Sequence, residues 1–159
     1  MTAPARILQG GRSKAYRPLP EADRRRAIDE GLAAYRAGEF FEAHELLEPA
    51  WMGTADLAER DALQGLIKVA AAYVHADRGN PAGVVKNLEG GRIRLARSLG
   101  EGVIGRTPVE GVDVARLLAA IDERLVLLAT ASRELSRDAI LALVPPPPLG
   151  ERRRGEVPV

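Results

Sequence analysis

Leu63-Gln64-Gly65-Leu66-Ile67-Lys68-Val69-Ala70-Ala71-Ala72-Tyr73-Val74-His75-Ala76-Asp77-Arg78-Gly79-Asn80-Pro81 is the stretch on which the fold turns. Leu63, Leu66, Ile67, Ala70 and Val74 recur at helical spacing, so one face of a helix is apolar over about three turns. Gly79 then suits the position just past a helix end, Asn80 caps a new helix, and Pro81 fits its first turn. A stop and restart this short makes the two flanking helices close, antiparallel neighbours.

Working back toward the start, the helix holding this stretch spans 55–78 with Thr54 as its cap. A helix over 39–52 places Phe40, His44, Leu47 and Trp51 on one stripe, and Pro49 removes a backbone donor late in it, which predicts a kink or an early end. Before it, 20–37 carries Ile28, Leu32 and Tyr35 on one face and stops at Gly38. Toward the end of the chain, 81–99 holds Val84, Val85, Leu88, Leu95 and Leu99. Gly90-Gly91 interrupts this helix at about 1 kcal/mol per glycine relative to alanine, which implies close backbone approach or a local weakness. A loop over 100–111 leads to a helix on which Val114, Leu117, Leu118, Ile121, Leu125 and Leu128 keep the helical period. A short helix over 136–144 ends against four prolines. Strand-like alternation of useful length is absent. The expected architecture is therefore all-α: a single-domain bundle of about five helices over 20–144, between a flexible basic arm (1–19) and a Pro-rich, basic tail (145–159).

The chain's 159 residues suffice for one core, and 46% hydrophobic with 28% charged residues is the balance of a water-soluble globular protein. The longest apolar runs, such as Val69 to Val74, fall far short of the roughly 20 residues that span a bilayer, and the first residues lack the apolar core of a secretion signal. A cytoplasmic protein with no membrane partner is the expectation. Cysteine is absent, which removes thiolate chemistry, and His44 and His75 are the two imidazoles. The net charge of +1 is unevenly spread: Arg6, Arg12, Lys14 and Arg17 face no acid in the first 20 residues, while 21–144 carries −4. That balance argues against a nucleic-acid platform. No Gly-rich phosphate loop or G-x-S-x-G elbow occurs, so neither a nucleotide cofactor nor serine hydrolase chemistry is expected.

The sharpest chemical pattern is His44-Glu45-Leu46-Leu47-Glu48. On a helix His44 and Glu48 lie one turn apart, so an imidazole nitrogen and a carboxylate oxygen can grip one divalent cation. The pattern is similar to the H-E-x-x-H helix of metalloproteases with Glu in place of the second His. In that analogy Glu45 is the general base that activates the hydrolytic water. His75 supplies a third ligand if the helix over 55–78 turns its Gln64-Lys68-His75 stripe inward, with Gln64 behind the ligands. The bland alternative is that His44, Glu48, Gln64 and His75 satisfy one another in a buried polar network.

Gly38-Glu39-Phe40-Phe41-Glu42-Ala43-His44-Glu45-Leu46-Leu47-Glu48, Trp51, Gln64-Gly65-Leu66-Ile67, Ala70-Ala71, His75 and Gly79-Asn80 together closely resemble the family catalogued as domain of unknown function 309. The resemblance covers roughly residues 30–97. It implies an all-α bundle and, through the label of predicted metal-dependent hydrolases given to members without an assigned substrate, points to His44, Glu45, Glu48 and His75 with Gln64 beside them. A second function class stays open: 31–51 also resembles one helix hairpin of a tetratricopeptide array. No second copy recurs at the period of about 34 residues, which leaves a single binding groove or a homo-oligomer rather than a solenoid.

Overall fold

The computed structural model describes residues 5–100 and 107–150. Among the described residues six helices follow one another: α1 (Glu21–Arg36), α2 (Phe40–Gly53), α3 (Leu57–Asp77), α4 (Pro81–Gly100), α5 (Val114–Ala129) and α6 (Arg137–Leu143). Helix α3 is central, with α2 along one side and α4 along the other; α1 packs on α2 and α5 on α4. The all-α expectation holds, and one hydrophobic cluster reaches from Ile28 to Leu149. Among the described residues, no helix is long and apolar enough to cross a membrane. Of the expected arm, loop and tail, 1–4, 101–106 and 151–159 lie outside the described residues.

Local chemistry explains the boundaries. Asp56, not Thr54, caps α3, its carboxylate accepting from the backbone N–H groups of Ala58 and Glu59 at 3.1 and 3.4 Å. Thr54 instead donates its hydroxyl to Glu59 at 3.0 Å. At the α3–α4 turn Gly79 has a φ of 66°, and Asn80 accepts from the Gly83 N–H at 3.1 Å, as the sequence predicts. Helix α2 continues through Pro49 to Gly53 rather than ending early, with the proline on its exposed side and one backbone bond forfeited.

The glycine pair of α4 does not break that helix. A Cβ on Gly91 would stand 3.1 Å from the Gly65 carbonyl oxygen, and one on Gly65 would stand 2.6 Å from Leu95 Cγ. The glycines therefore let α3 and α4 cross at close range, and their helix-propensity cost is the cost of that contact.

Two expectations need correction. The basic arm is not flexible over 5–15: β1 (Arg6–Gln9) pairs antiparallel with β2 (Arg12–Ala15), and Gly10 and Gly11 take the positive φ values, 57° and 76°, that a two-residue hairpin turn requires. The strands escape apolar periodicity because the residue turned inward is polar: Gln9, 1% exposed, bonds to Asp61. The folded body also does not stop at 144. Tyr35 donates its hydroxyl to the Pro147 carbonyl at 2.7 Å, Tyr73 donates to the carbonyls of Val144 and Pro145, and Leu149 is buried. Extended proline segments expose carbonyls with no intrasegment partner, and two core phenols take them.

Candidate metal centre

Helix α2 buries Phe40, Ala43, Leu47 and Ala50. His44, Glu48 and Trp51 follow along the edge of that face and are half-buried, while Phe41 and Glu45 project further outward. This helical geometry brings together His44, Glu45 and Glu48, whose candidate ligand atoms all lie within 4.8 Å of one another. His44 Nδ1 stands 3.4 Å from Glu45 Oε1 and makes no hydrogen bond although the atom itself is shielded from solvent. The imidazole lies parallel to the Phe41 ring, with 6.5 Å between centroids. Ligands around one cation with bonds of about 2.1 Å sit roughly 3.0–3.5 Å apart, so the widest-set of these atoms would have to draw about 1 Å closer around an ion.

His75 is not part of this group. Its Nδ1 accepts from Asn80 Nδ2 at 3.1 Å, an assignment that follows because Asn80 Oδ1 is already committed to the Gly83 N–H. The ring fills the space over Gly83 of α4, where a Cβ would come within 2.5 Å of it. The physical reason is helical phase. Tyr73 meets Phe40 of α2 with 5.4 Å between ring centroids, and residues two apart on a helix point about 200° apart, so His75 faces away from α2. The sequence stripe is real; the helix that covers it is α4. Gln64 is half-buried with its Oε1 unpartnered, and no hydrogen bond joins it to His44, Glu45 or Glu48 among the described residues.

A second polar assembly begins one turn further along α2. Arg60, fully buried, donates Nε to Gln9 Oε1 at 3.0 Å, Nη1 to the carbonyls of Trp51 and Thr54 at 3.0 and 3.3 Å, and Nη2 to the Ala15 carbonyl at 2.7 Å. Its guanidinium lies 4.9 Å from the Trp51 ring centroid, and the indole N–H donates to Gln9 at 3.1 Å. Gln9 in turn donates to Asp61 at 2.9 Å. Burial pushes the Arg60 pKa down and neighbouring Asp61 opposes that shift. This assembly ties the hairpin to α2 and α3. The charged pair Arg60-Asp61 inside an otherwise amphipathic helix start was the one sequence signal for it.

A cleft of about 450 Å³ lies elsewhere, between α4 and the end of α5, lined by Val85, Lys86, Glu89 and Leu128 among others. Residues 28–87 match the model of a family described as Domain of unknown function (DUF309). No curated protein and no solved structure matches the chain.

Proposed function

With residues 28–87 carrying a domain whose family has no assigned activity, we propose that the chain is a divalent-cation-binding helical module, the cation being held at the outer edge of α2 by His44, Glu45 and Glu48. One observation carries this reading: an imidazole and two carboxylates converge within 4.8 Å while His44 Nδ1 is left without a hydrogen bond. A mixed nitrogen and oxygen set suits zinc, manganese or iron better than calcium, which prefers all-oxygen cages. Glu45 then takes the third place that the sequence assigned to His75.

Metal-dependent hydrolysis is the finer reading of the same site. A bound cation supplies Lewis acidity and lowers the pKa of water. The chain's own residues hold the ion and, through Phe41, wall one side of it, leaving the solvent side open for a substrate. Titrating untagged, metal-free protein with Zn²⁺ or Mn²⁺ by calorimetry tests the cation site. Saturable one-to-one binding that is lost in His44→Ala and Glu48→Gln and kept in His75→Ala is expected. Binding that survives His44→Ala overturns it. Metal-dependent turnover of bis(p-nitrophenyl) phosphate, abolished by Glu45→Gln, is the outcome the hydrolase reading requires.

A second reading is favoured by Phe41, 63% exposed beside the cluster: the edge of α2 serves as a docking face for another protein or a second copy. Light scattering during gel filtration tests the homo-oligomer, and a monomer at high concentration removes it.

A further inference from the structure

We propose that the junction of the hairpin with α3 and α4 binds a compact oxyanion, a phosphate group free or in a small monoester, gripped by Lys68, Arg94 and Arg97. Two glycines admit these side chains. Lys68 crosses Gly90 of α4, where a Cβ would stand 3.0 Å from its Cδ and 3.6 Å from its Nζ. Arg94 follows Gly90 by one turn of α4 and Arg97 by two, and both reach the tip of the hairpin: a Cβ on Gly10 would lie 2.9 Å from Arg94 Nη1 and would overlap Arg97 Nη1. Two guanidiniums thus meet at one glycine, next to an ammonium on the facing helix.

All three cations are half-buried, and among the described residues none forms an ion pair. Arg97 Nη1 is sealed from solvent without a hydrogen bond. Their neighbours are mostly further cations. Burial lowers the Lys68 pKa, and Arg94, Lys14 and Lys86 lower it further; burial and then Arg97 lower that of Arg94, with Arg12 adding to it and Asp61 opposing. Among the described residues Asp61 is the acid at hand; its Oδ1 accepts from Gln9 and its Oδ2 is buried without a hydrogen bond, so one carboxylate stands against this cluster without being bonded to any of it.

Gathering partly buried cations with so little compensating charge is unfavourable in an isolated protein. It runs against the −4 carried by 21–144 as a whole, so bulk composition does not account for it. A ligand's negative charge completes the arrangement. Guanidinium forks match the geometry of an oxyanion, and a dianionic phosphate balances several cations where a carboxylate balances one. None of these residues belongs to the His44 cluster, so this site stands independently of the cation reading.

Calorimetric titration of the metal-free chain with inorganic phosphate, against chloride at equal ionic strength, tests the proposal. A parallel titration uses glycerol 3-phosphate. Saturable one-to-one phosphate binding is expected, with at least about a tenfold loss of affinity in Lys68→Gln and Arg94→Gln, and the tighter of the two ligands identifies the free or esterified source. Without phosphate, the melting temperature of Arg94→Gln is expected to equal or exceed that of the parent, because repulsion is relieved. No saturable binding, binding unchanged in both variants, or a marked drop in the phosphate-free melting temperature of Arg94→Gln overturns the site. So does binding of a 20-nucleotide RNA strand without binding of phosphate.

Discussion

Arg60 and His44 head two polar groups that sit a turn or so apart along the same edge of α2, and they are built on opposite terms. Around Arg60 every donor the structure shows has an acceptor, Asp61 Oδ2 being the one atom of the group without a hydrogen bond: Gln9, three backbone carbonyls and the face of Trp51 surround a side chain with no exposure. Around His44 the ring nitrogen lacks a hydrogen bond, the partner carboxylate is 57% exposed, and the flanking aromatic lies open to water. Buried polar groups that hold a fold together are saturated, because an unpaired one costs about 1–3 kcal/mol. His44 Nδ1, shielded from solvent yet without a hydrogen bond, has bonding capacity to offer a ligand. The contrast separates the part of the edge that makes structure from the part available for chemistry.

The most direct way to break the contrast is Arg60→Leu. It strands the Ala15, Trp51 and Thr54 carbonyls, takes one of two donors from Gln9 Oε1 and removes the positive charge beside buried Asp61, and unfolding in urea is expected to show a loss of about 3–5 kcal/mol. A loss below 1 kcal/mol would mean that the saturated network is not what fastens the hairpin. Tyr73→Phe extends the same rule to the C-terminal segment: it removes the donor to the Val144 carbonyl, while that of Pro145 keeps Arg124, and should cost about 1–2 kcal/mol.

Tyr73 also sets a pH limit. Burial pushes its pKa up to about 12, from near 10 in the unfolded chain, so folding favours the protonated phenol. Its contribution is complete below about pH 10 and fades as pH rises toward 12. Denaturation midpoints measured across that window should fall, and fall less steeply in Tyr73→Phe. Smaller again is Trp51→Phe, which keeps a ring beneath Arg60 but deletes the N–H to Gln9. Gln9 Oε1 retains the Arg60 donor, so about 1 kcal/mol is expected.

The legible and illegible parts of the fold divide by range. Helical periodicity, the Gly79-Asn80-Pro81 turn and the close approach at Gly90-Gly91 are local or nearly so, and the chain spells them out. The hairpin was hidden because Gln9 earns its burial from Asp61 and Arg60, far along the chain, with no apolar alternation to announce it; Gly10-Gly11 was the available signal. The His44-Glu45-Glu48 group was readable because one helical turn assembles it. His75 misled because periodicity says which residues share a face and is silent on which neighbour covers that face. Arg94 and Arg97 carry no local signal, because the hairpin tip that meets them comes from far back in the chain.

Glu48→Gln is expected to have the smallest effect on stability and is the finest test of the contrast. If Glu48 belongs to an unsaturated surface group, removing its charge in the presence of chelator changes the folding free energy by less than about 0.5 kcal/mol, as surface substitutions generally do. The same variant should lose the rise in melting temperature that Zn²⁺ or Mn²⁺ gives the parent, since that rise measures binding to the folded state alone. A variant weakened in chelator as much as Trp51→Phe would make Glu48 a member of the structural network. His44 and Glu45 would then be left without the second carboxylate that a cation needs.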